Sequence, residues 1–338
     1  MIIAADIGGT KTNLALFDVK EKPKTRVGKI LLQFTFPSRN YASLEDIVWE
    51  FLGKCGAHCE PTQIKAACFA IAGPVVDGVC RTTNLPWVVD SKVLSKKLGI
   101  QHVYLLNDLE ASAWAIDALP SESFFELYPG KLNSKGNKAV VSPGTGLGEA
   151  GLYWDGQRHL PFACEGGHCE FGPRNELQID LCRYIYKKYG HASYERVLSG
   201  PGLHNIYNFF KEELNRTEPD WLKEAIAKDD PSKVISLNAL SRKSELCEDS
   251  LNLFVEILGA EASNTVLKFM ATGGVYLGGG IPPKILPKLR ESAFFESFID
   301  KGRFRDLLKT VPIRVILDDK ASLKGAAFFC YKEQEVYL

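Results

Sequence analysis

The chain lacks an excess of charge of either sign. Its 41 lysines and arginines balance 41 aspartates and glutamates, so the formal net charge of the 338 residues is zero. A protein that binds nucleic acid normally shows a basic excess or a basic stripe, and this sequence shows neither. No run of like charges resembles an interaction tail. The charge balance therefore predicts no nucleic-acid partner.

Long apolar runs are missing as well. No stretch has the roughly 18 uninterrupted apolar residues that a membrane helix needs. The first residues, Met1 to Ala5, are too few for the apolar part of a secretory signal, lack a basic lead and run into Asp6. We therefore expect a cytoplasmic protein with no membrane partner.

Cysteine follows no regular spacing. Nine cysteines are an odd number, and without a secretory signal they predict reduced thiols in a reducing compartment. Cys55, His58 and Cys59 could be interpreted as metal ligands. No second pair stands at the spacing of a structural zinc site, which favours free cysteines at a helix end.

The residues that are present suit a globular α/β protein. Apolar residues make up 45% of the chain and charged residues 24%, and the length suggests about two domains. In the first third, apolar runs predict strands at residues 2–5, 14–17, 27–36, 65–71 and 103–106, and helices at 44–52, 91–98 and 109–118. This alternation predicts an α/β layered architecture.

The opening pattern recurs in the middle of the chain. Residues 119–138 are polar and turn-rich, which predicts a long connection, and we place a lobe boundary between Asp108 and this stretch. A short strand at 139–141, a Gly/Thr turn and a second strand at 150–154 then repeat the start. This internal duplication predicts two related lobes around a cleft. The second lobe is richer in helix, with helices predicted at 176–190, 202–214, 219–228, 247–270 and 323–332. Residues 273–280 predict a short strand that runs into a glycine turn, and 313–317 a late strand.

Three glycine-rich turns each follow an apolar strand: Gly8-Gly9-Thr10, Gly144-Thr145-Gly146 and Gly278-Gly279-Gly280. Without Cβ atoms, such turns let backbone N–H groups approach phosphate oxygens closely. One such turn is equally a tight hairpin, but three at strand ends favour phosphate binding.

Two common phosphate motifs can be excluded. The sequence contains no G-x-x-x-x-G-K-[ST], which excludes the P-loop class. Residues 146–151 match G-x-G-x-x-G, but they lead into an apolar strand and open no helix, which excludes a dinucleotide fold.

Acidic residues stand beside these turns. Asp6 ends the first strand and could hold a Mg²⁺–water cluster, or could simply cap the turn. Asn107 and Asp108 follow a buried strand and precede a helix. Asp108 could accept a hydroxyl proton while Asn107 orients the same substrate, although the position alone favours helix N-capping.

Two further segments are typical of polar ligand binding. In Glu165-Gly166-Gly167-His168, the two glycines allow a sharp bend, so both side chains could converge on one small polar ligand such as a sugar. Glu195 lies before Val197-Leu198-Ser199-Gly200-Pro201-Gly202, another turn that opens a helix. The alternative for Glu195 is a surface charge.

In their order and spacing, these motifs resemble those of the bacterial glucokinase family, which has the hexokinase-type, actin-like (ribonuclease H-like) α/β fold with two lobes around a cleft. The resemblance covers nearly the whole chain. The matching segments are Asp6-Ile7-Gly8-Gly9-Thr10, Asn84-Leu85-Pro86-Trp87, Leu106-Asn107-Asp108, Gly144-Thr145-Gly146-Leu147-Gly148, Glu165-Gly166-Gly167-His168, Glu195-Arg196-Val197-Leu198-Ser199-Gly200-Pro201-Gly202, Gly278-Gly279-Gly280-Ile281 and Lys301-Gly302-Arg303-Phe304.

The resemblance implies phosphorylation of glucose by ATP at the 6-hydroxyl, with Asp108 as the general base. It implies that the nucleotide is bound by Gly8, Gly9, Thr10, Lys11, Gly144, Thr145, Gly146, Gly278 and Gly279. The sugar hydroxyls would be bound by Asn84, Asn107, Asp108, Glu165, His168 and Glu195. Mg²⁺ would lie near Asp6, through water. The resemblance also implies a homodimer and a discontinuous small lobe, 1–108 plus about 319–338, beside a large lobe of 109–318.

The sequence departs from the family pattern in places. Lys11 stands where these glucokinases often carry Asn, although related sugar kinases use Lys. Glu149 follows the second glycine turn where a small apolar residue is more usual, and near phosphates its carboxylate would have to point away. Residues 170–174 replace the cysteine-rich zinc loop of the related repressor/open-reading-frame/kinase family, so we expect no structural zinc.

Other functions remain open at this point. The chain could phosphorylate another hexose, such as mannose, fructose or an N-acetylated sugar, because epimers differ little in binding energy. A sugar-sensing transcription regulator would need a helix-turn-helix segment before the first glycine turn, and only five residues precede Asp6. A noncatalytic sugar-binding protein requires that Asp108 be idle.

Overall fold

The structure is a computed structural model that describes residues 1–19, 27–56, 60–82, 84–131 and 135–336. His58 and Cys59, considered above as metal ligands, lie outside these ranges. The strands are β1 (Ile2–Ile7), β2 (Lys11–Asp18), β3 (Lys29–Pro37), β4 (Ala66–Ile71), β5 (Val75–Val76), β6 (Val79–Arg81), β7 (Val88–Asp90), β8 (His102–Asn107), β9 (Phe124–Tyr128), β10 (Lys138–Pro143), β11 (Leu147–Trp154), β12 (His159–Cys164), β13 (Gly274–Leu277) and β14 (Ile313–Ile316). The α-helices are α1 (Leu44–Cys55), α2 (Ser91–Leu98), α3 (Asp108–Ala115), α4 (Glu176–Tyr189), α5 (Gly200–Glu212), α6 (Asp220–Lys228), α7 (Pro231–Leu240), α8 (Glu245–Phe269), α9 (Leu286–Leu289), α10 (Ser292–Ile299), α11 (Arg305–Leu308) and α12 (Ala321–Val336).

The chain divides into two compact units. Unit 1 comprises Met1–Ser123, Leu160–Ala163 and Asp318–Leu338, and unit 2 comprises Phe124–His159 and Cys164–Leu317. The boundary expected at Asp108 falls on the first residue of α3. Unit 1 continues past it because α3 packs against α12, so that both helices cover the same face of the first sheet.

Unit 1 is built on a five-stranded sheet with the order β3-β2-β1-β4-β8. Strand β1 is antiparallel to β2 and parallel to β4, and β4 is parallel to β8. One face is covered by α1 and α2, where Leu14 and Phe51 are fully buried. The other face is covered by α3 and α12, where Trp114 packs against Phe328. Because side chains alternate along a strand, both faces of these apolar strands need a helical cover.

Unit 2 repeats this plan, which confirms the predicted duplication and the α/β fold class. Its six-stranded sheet has the order β12-β11-β10-β13-β14-β9. As in unit 1, the hairpin β10–β11 is antiparallel, and its first strand continues into parallel pairing with β13 and then β14. The main core of unit 2 lies around α8, a 25-residue helix buried along most of its length.

Several elements of unit 2 were not predicted, namely β9, β12, α7, α9, α10 and α11. The connection expected at 119–138 contains β9, which pairs antiparallel with β14 at the sheet edge. Its aromatic residues pack where a polar loop was predicted, for example Phe124 against Tyr276. Helix α7 was not predicted, although Asp230 followed by Pro231 is a typical N-cap and first-turn pair. Residues 132–134 of the connection lie outside the described ranges.

Local signals at helix starts were more reliable. Ser43, directly before the helix predicted at 44–52, is the N-cap of α1, and Asp46 completes a capping box with it. None of the helices in the described ranges is long and apolar enough to cross a membrane. Free thiols are carried in those ranges by Cys68, Cys80, Cys164, Cys169, Cys182, Cys247 and Cys330.

Candidate functional site

The first glycine turn closes the hairpin β1–β2 in unit 1. The Gly8 N–H donates to Lys11 O (2.9 Å), and Ser38 Oγ donates to Gly8 O (2.8 Å). Ser38 N also donates to Thr10 O (3.0 Å), so the loop after β3 holds the turn from both ends. Thr10 and Lys11 are exposed. Their side chains are therefore available to a ligand, while the turn itself is fixed.

Asn84 lies against this turn. A Cβ on Gly9 would be 2.6 Å from Asn84 Cβ, which is too close for any side chain. The absence of a Cβ at Gly9 is therefore a packing requirement, and it brings a predicted phosphate turn next to a predicted sugar ligand within unit 1. Asn84 is exposed.

Asp6 lies at the base of the same turn. Asn13 Nδ2 approaches its carboxylate at 3.5 Å across the hairpin. Burial raises the pKa of Asp6, and the Asn13 amide offsets only part of that effect. A desolvated carboxylate is stabilised by pairing with a cation, so the residue fits the expected Mg²⁺.

Asn107 and Asp108 stand where β8 passes into α3. Asn107 Oδ1 accepts from Leu109 N (2.9 Å) and Glu110 N (3.3 Å), so Asn107 is the N-cap of α3, the interpretation that its position alone favoured. Its amide nitrogen donates to Gly73 O (3.1 Å). Asp108 is the first residue of the helix and is partly exposed. The capping interaction thus fixes the backbone from which Asp108 projects.

Asp108 also has a neighbour that sequence reasoning did not single out. Burial raises the pKa of the Cys80 thiol, and the negative charge of Asp108 adds to the effect. Gly73, which holds Asn107, has a φ of +139° and lies against Cys80 Sγ. The sequence signal at this place is the Gly73-Pro74 pair, which marks a turn after β4.

In unit 2, the second and third glycine turns come together. Since β10 and β13 are parallel, their carboxyl ends lie at the same edge of the sheet. The Gly278 N–H donates to Val141 O (2.9 Å). Gly279 has a φ of +78°, and a Cβ there would be 2.4 Å from Pro143 O, so only glycine fits this close approach.

The start of α5 joins the same place. Gly200 N donates to Gly144 O (2.8 Å), and Ser199 caps the helix by accepting from Gly202 N (3.0 Å). Within the second turn, Gly144 N donates to Gly146 O (2.8 Å). Thr145 at its tip is exposed. Two glycine turns and one helix N-terminus therefore converge in unit 2.

These elements border a pocket of about 550 Å³. It is lined by Gly144, Thr145, Gly200, Pro201, His204, Asp230, Pro231, Ser232, Lys233, Ser236, Gly280, Ile281, Lys284 and Ile285. Both α5 and α7 begin at this pocket, and helix N-termini attract anions. The volume and the mixed lining suit a nucleotide-sized ligand.

The pocket contains residues that the sequence reasoning missed. The residues at the start of α7 and Lys284 were not predicted to bind a ligand, because α7 itself was not predicted. Of the predicted residues, Gly144 and Thr145 line the pocket directly, while Gly278 and Gly279 lie in the adjoining turn before Gly280.

Glu165 and His168 are brought together as expected. Residues Gly166–His168 form a short 3₁₀ turn, and His168 Nε2 lies 3.9 Å from Glu165 Oε2. Both side chains are about three-fifths exposed, at 61% for Glu165 and 62% for His168. The pair therefore presents an acceptor and an imidazole on the surface of unit 2.

Glu195 links this region to the second glycine turn. Its Oε2 accepts from Leu147 N (3.0 Å), directly after the turn 144–146. A Cβ on Gly146 would be 2.4 Å from the same oxygen. Glu195 is half-buried and hydrogen-bonded, so the alternative of a surface charge is wrong.

Glu149 points away from the glycine turn. It lies in β11 and is 1% exposed, and burial together with the charge of Glu261 raises its pKa to about 8. Residues 146–151, the G-x-G-x-x-G match, run into β11 and open no helix, as predicted.

In the described ranges, no group of three or more His, Cys, Asp or Glu side chains could hold a metal ion.

Comparison with known proteins agrees with this arrangement. The family model described as Glucokinase matches residues 3–333. A curated glucokinase from Nostoc punctiforme is 38% identical over 340 residues, covering 97% of this chain and 98% of that protein. A glucokinase from Synechocystis sp. is also 38% identical, over 344 residues, with 96% of each chain covered.

Solved structures show the same architecture. The crystal structure of glucokinase from an Antarctic psychrotroph is 31% identical with a TM-score of 0.84, and 98% of each chain is covered. A ROK family glucokinase from Streptomyces griseus, in complex with glucose and AMPPNP, has a TM-score of 0.66 at 20% identity, covering 98% of this chain and 99% of that one. At that identity the likeness shows the fold alone.

Proposed function

The chain belongs to the glucokinase family, and from that membership we propose which residues carry out its reaction. The chain phosphorylates glucose at the expense of ATP. The observation that carries our assignment is the convergence of two predicted glycine turns and the start of α5 on the pocket in unit 2.

The pocket in unit 2 binds ATP in this proposal. Amides of the turn 144–146 and the hydroxyl of Thr145 hold phosphate oxygens, and Gly278 and Gly279 lie by the adenosine. The helix N-termini of α5 and α7 add positive potential. The family resemblance assigns Gly8, Gly9, Thr10 and Lys11 to nucleotide binding as well. The fixed hydrogen bonds of both turns support this, because preorganised donors need little rearrangement.

The sugar-binding residues are assigned from the family resemblance. They are Asn84, Asn107, Asp108, Glu165, His168 and Glu195, whose side chains pair with the glucose hydroxyls. Exposure of the Glu165–His168 pair supports this role. Asn107 has a further function, since its amide holds the start of α3 and so orients Asp108.

Asp108 acts as the general base for the transfer. Its carboxylate takes the proton of the 6-hydroxyl while the oxygen attacks the γ-phosphorus in line. The bond from the γ-phosphorus to the β–γ bridging oxygen breaks, and ADP leaves with that electron pair. Donors from Thr10, Thr145 and the turn amides stabilise the charge on the transferred group.

Mg²⁺ fits beside Asp6, whose buried carboxylate would hold it through water. When bound, the ion supplies neutralisation of the phosphate charge. Asp6 itself is kept in place by the hairpin and by Asn13.

A homodimer and a cytoplasmic location complete the proposal. The homodimer rests on the family resemblance alone, and the cytoplasmic location rests on the cysteine pattern of the sequence. Light scattering of the purified chain measures the mass in solution, and a monomer mass would contradict the dimer.

The decisive experiment compares wild type with Asp108→Asn in an assay that follows NADPH through glucose-6-phosphate dehydrogenase. We expect kcat to fall about a thousandfold, since general bases contribute that order of rate. Asp306→Asn is the matched control, because its side chain is 95% exposed and pairs only with nearby Lys309.

Two outcomes would overturn parts of the proposal. Unchanged turnover in Asp108→Asn would remove Asp108 as the base. A wild type that releases ADP with mannose, fructose or an N-acetylated sugar, but not with glucose, would replace the substrate and keep the mechanism.

A further inference from the structure

A group of polar side chains around two buried carboxyl groups lies in unit 2 beside the turn Gly166–His168, and the proposed reaction does not use it. We call it the carboxyl network. Its members are Glu149, Tyr194, Glu261, Asn264, Lys268 and Lys301. At its centre, Glu149 on β11 is 1% exposed and Glu261 on α8 is 0% exposed. Burying a charge costs free energy unless the charge is paired, so two carboxyl groups at this depth must be stabilised by neighbouring groups.

Glu261 has partners of its own. Lys268 Nζ donates to Glu261 Oε1 (3.2 Å), and Asn264 Nδ2 donates to Glu261 Oε2 (2.7 Å). Glu261 is therefore the member of the pair that is matched to an ammonium. Glu149 lacks such a match: its Oε1 has no hydrogen-bond partner among the described residues.

The network reaches the segments that we assign to glucose. Asn264 Nδ2 also donates to Tyr194 Oη (2.9 Å), and Lys301 Nζ donates to Asn264 Oδ1 (2.6 Å). Tyr194 immediately precedes Glu195 in the 3₁₀ turn Tyr194–Arg196. Lys301, the first residue of the Lys301-Gly302-Arg303-Phe304 motif, is thus hydrogen-bonded to this network.

Glu149 touches the other glucose segment directly. A Cβ on Gly166 would be 2.0 Å from Glu149 Oε2, and a Cβ on Gly167 would be 2.1 Å from Leu147 O. The turn that carries Glu165 and His168 therefore rests on the first residues of β11, with the Glu149 carboxyl as part of its support. Any shift of that carboxyl moves the turn.

The groups around Glu149 determine the protonation state of its carboxyl group. From α8 it faces Glu261 and Lys268, and from β12 it faces Cys164. Beyond Glu261 lie Tyr194 and Lys301. Burial and the negative charge of Glu261 outweigh Lys268, and the pKa of Glu149 is raised to about 8. The raised pKa favours the protonated carboxyl, the form of Glu149 that can donate a hydrogen bond toward Glu261.

The fold does not require a carboxyl at this position. In the hairpin β10–β11, Glu149 pairs with Val141, and in β1–β2 the equivalent pair is Leu14 with Ala5. Leu14 is fully buried in an apolar core. The same place in the same plan is thus filled by leucine in one unit and by an ionisable group in the other.

We propose that Glu149 is a positioning residue for glucose: a proton held between it and Glu261 keeps the turn Gly166–His168 in its binding geometry. The inference rests on the proposed assignment of Glu165 and His168 to the sugar. When the proton leaves, two buried carboxylates face one ammonium, and their repulsion displaces the turn. Glucose binding weakens, while the ATP pocket at the ends of β10 and β13 is unaffected.

The test measures the glucose dissociation constant by calorimetry between pH 7 and 9.5, without ATP, so that no turnover is needed. For the wild type we expect affinity to fall about tenfold above pH 8, as the proton is lost. Glu149→Gln should bind glucose as tightly at pH 9.5 as at pH 7, because the amide still donates to Glu261. Glu149→Leu should bind more weakly at every pH, without a pH trend.

Glu256→Gln is the matched control. Glu256 lies on the same helix α8, and burial raises its pKa too, but it does not adjoin Gly166. This variant should keep the wild-type pH profile. ATP affinity, measured in parallel, should change less than threefold in all variants.

Several results would overturn the inference. One is a Glu149→Gln profile that falls with pH like the wild type, and another is loss of glucose binding by Glu149→Gln at pH 7 in a protein that melts normally. Equal loss of ATP and glucose affinity would indicate a general structural role. A wild type that shows this pH-dependent glucose binding but phosphorylates no sugar would overturn the proposed function and keep the inference, whereas no glucose binding at all would overturn both.

Discussion

The hairpin β1–β2 of unit 1 and the hairpin β10–β11 of unit 2 follow one backbone plan with different side chains. Each pairs six residues with six, and the first strand of each continues into a parallel neighbour. Register makes Asp6 equivalent to Ser142 and Leu14 equivalent to Glu149. The comparison shows that the backbone fixes where a glycine turn stands, and single side chains decide what that turn can do.

The next-to-last residue of the first strand differs between the two hairpins: it is Asp6 in β1 and Ser142 in β10. Asp6 places a carboxylate beneath residues 8–10, which suits a cation. Ser142 offers only a hydroxyl, packed near Gly278 and Gly279. In the described ranges of unit 2, the turn instead opens on the pocket that α5 and α7 complete. The division of labour in our proposal, metal in unit 1 and nucleotide in unit 2, follows from this difference.

We expect the largest effect from exchanging the side chains at the equivalent positions of the two hairpins, Leu14 and Glu149. Leu14→Glu places a carboxyl in an apolar core without partners, and we expect the free energy of unfolding to fall by about 4 kcal/mol. Glu149→Leu should leave it unchanged or raised at pH 8. Urea unfolding of both variants measures the difference, and similar losses would show that the two positions are not distinguished by their partners.

The Asp6/Ser142 position should separate the two turns in catalysis. Asp6→Asn removes the charge that favours Mg²⁺, and we expect kcat to fall about a hundredfold, with a higher Mg²⁺ requirement. Ser142→Ala should change kcat less than threefold. Steady-state rates across a Mg²⁺ titration test this, and an Asp6→Asn enzyme with normal Mg²⁺ dependence would contradict the metal assignment.

The third glycine turn tests the pocket of unit 2. Gly279→Ala meets Pro143 O and requires a positive φ, so we expect the KM for ATP to rise about tenfold, or the free energy of unfolding to fall by about 2 kcal/mol. Gly53→Ala in α1 is the control, because nothing lies within 4 Å of a Cβ there and the residue does not line the pocket. Equal effects of the two changes would mean that the turn geometry is not responsible.

The smallest expected effect is on the pH dependence of the folded protein's stability. The carboxyl of Glu149 has an ordinary pKa of 4.5 in the unfolded chain and about 8 in the folded protein. Between these values the folded form holds a proton that the unfolded form has lost, so this group lowers stability as pH rises from about 4.5 to about 8. Melting temperatures should fall over that window in the wild type relative to Glu149→Leu by a few degrees. Parallel curves would contradict the raised pKa.

Much of the local structure could be predicted from the sequence because its causes are local. Helix α2 begins and ends at the predicted residues, since Asp90 caps it and Gly99 takes the left-handed conformation that ends it. Ser43 capped α1 for the same reason. In contrast, β9 was taken for a loop, because an edge strand is recognised by its partner β14, which comes far later in the chain.

The site residues also divide into those placed by local sequence and those placed by contacts between distant segments. The pairing of Glu165 with His168 could be predicted, since the two glycines between them bend a short segment. Asn107 was a cap by position and a sugar ligand by resemblance, and the structure shows the cap, with its amide held by Gly73. The residues of α7 and Lys284 escaped prediction because they line a pocket assembled from separated segments.

The sequence by itself determined the α/β fold class, the duplicated hairpins, the three glycine turns and the family, because these depend on periodicity, on residues without Cβ atoms and on the order of motifs. Only the tertiary structure decided that Glu149 is buried against Gly166 and faces Glu261, that α5 and α7 begin at one pocket, and that Glu195 holds the turn 144–146. The physical reason is that burial and hydrogen-bond partners come from residues tens to more than a hundred positions apart, and no local pattern records which of them meet.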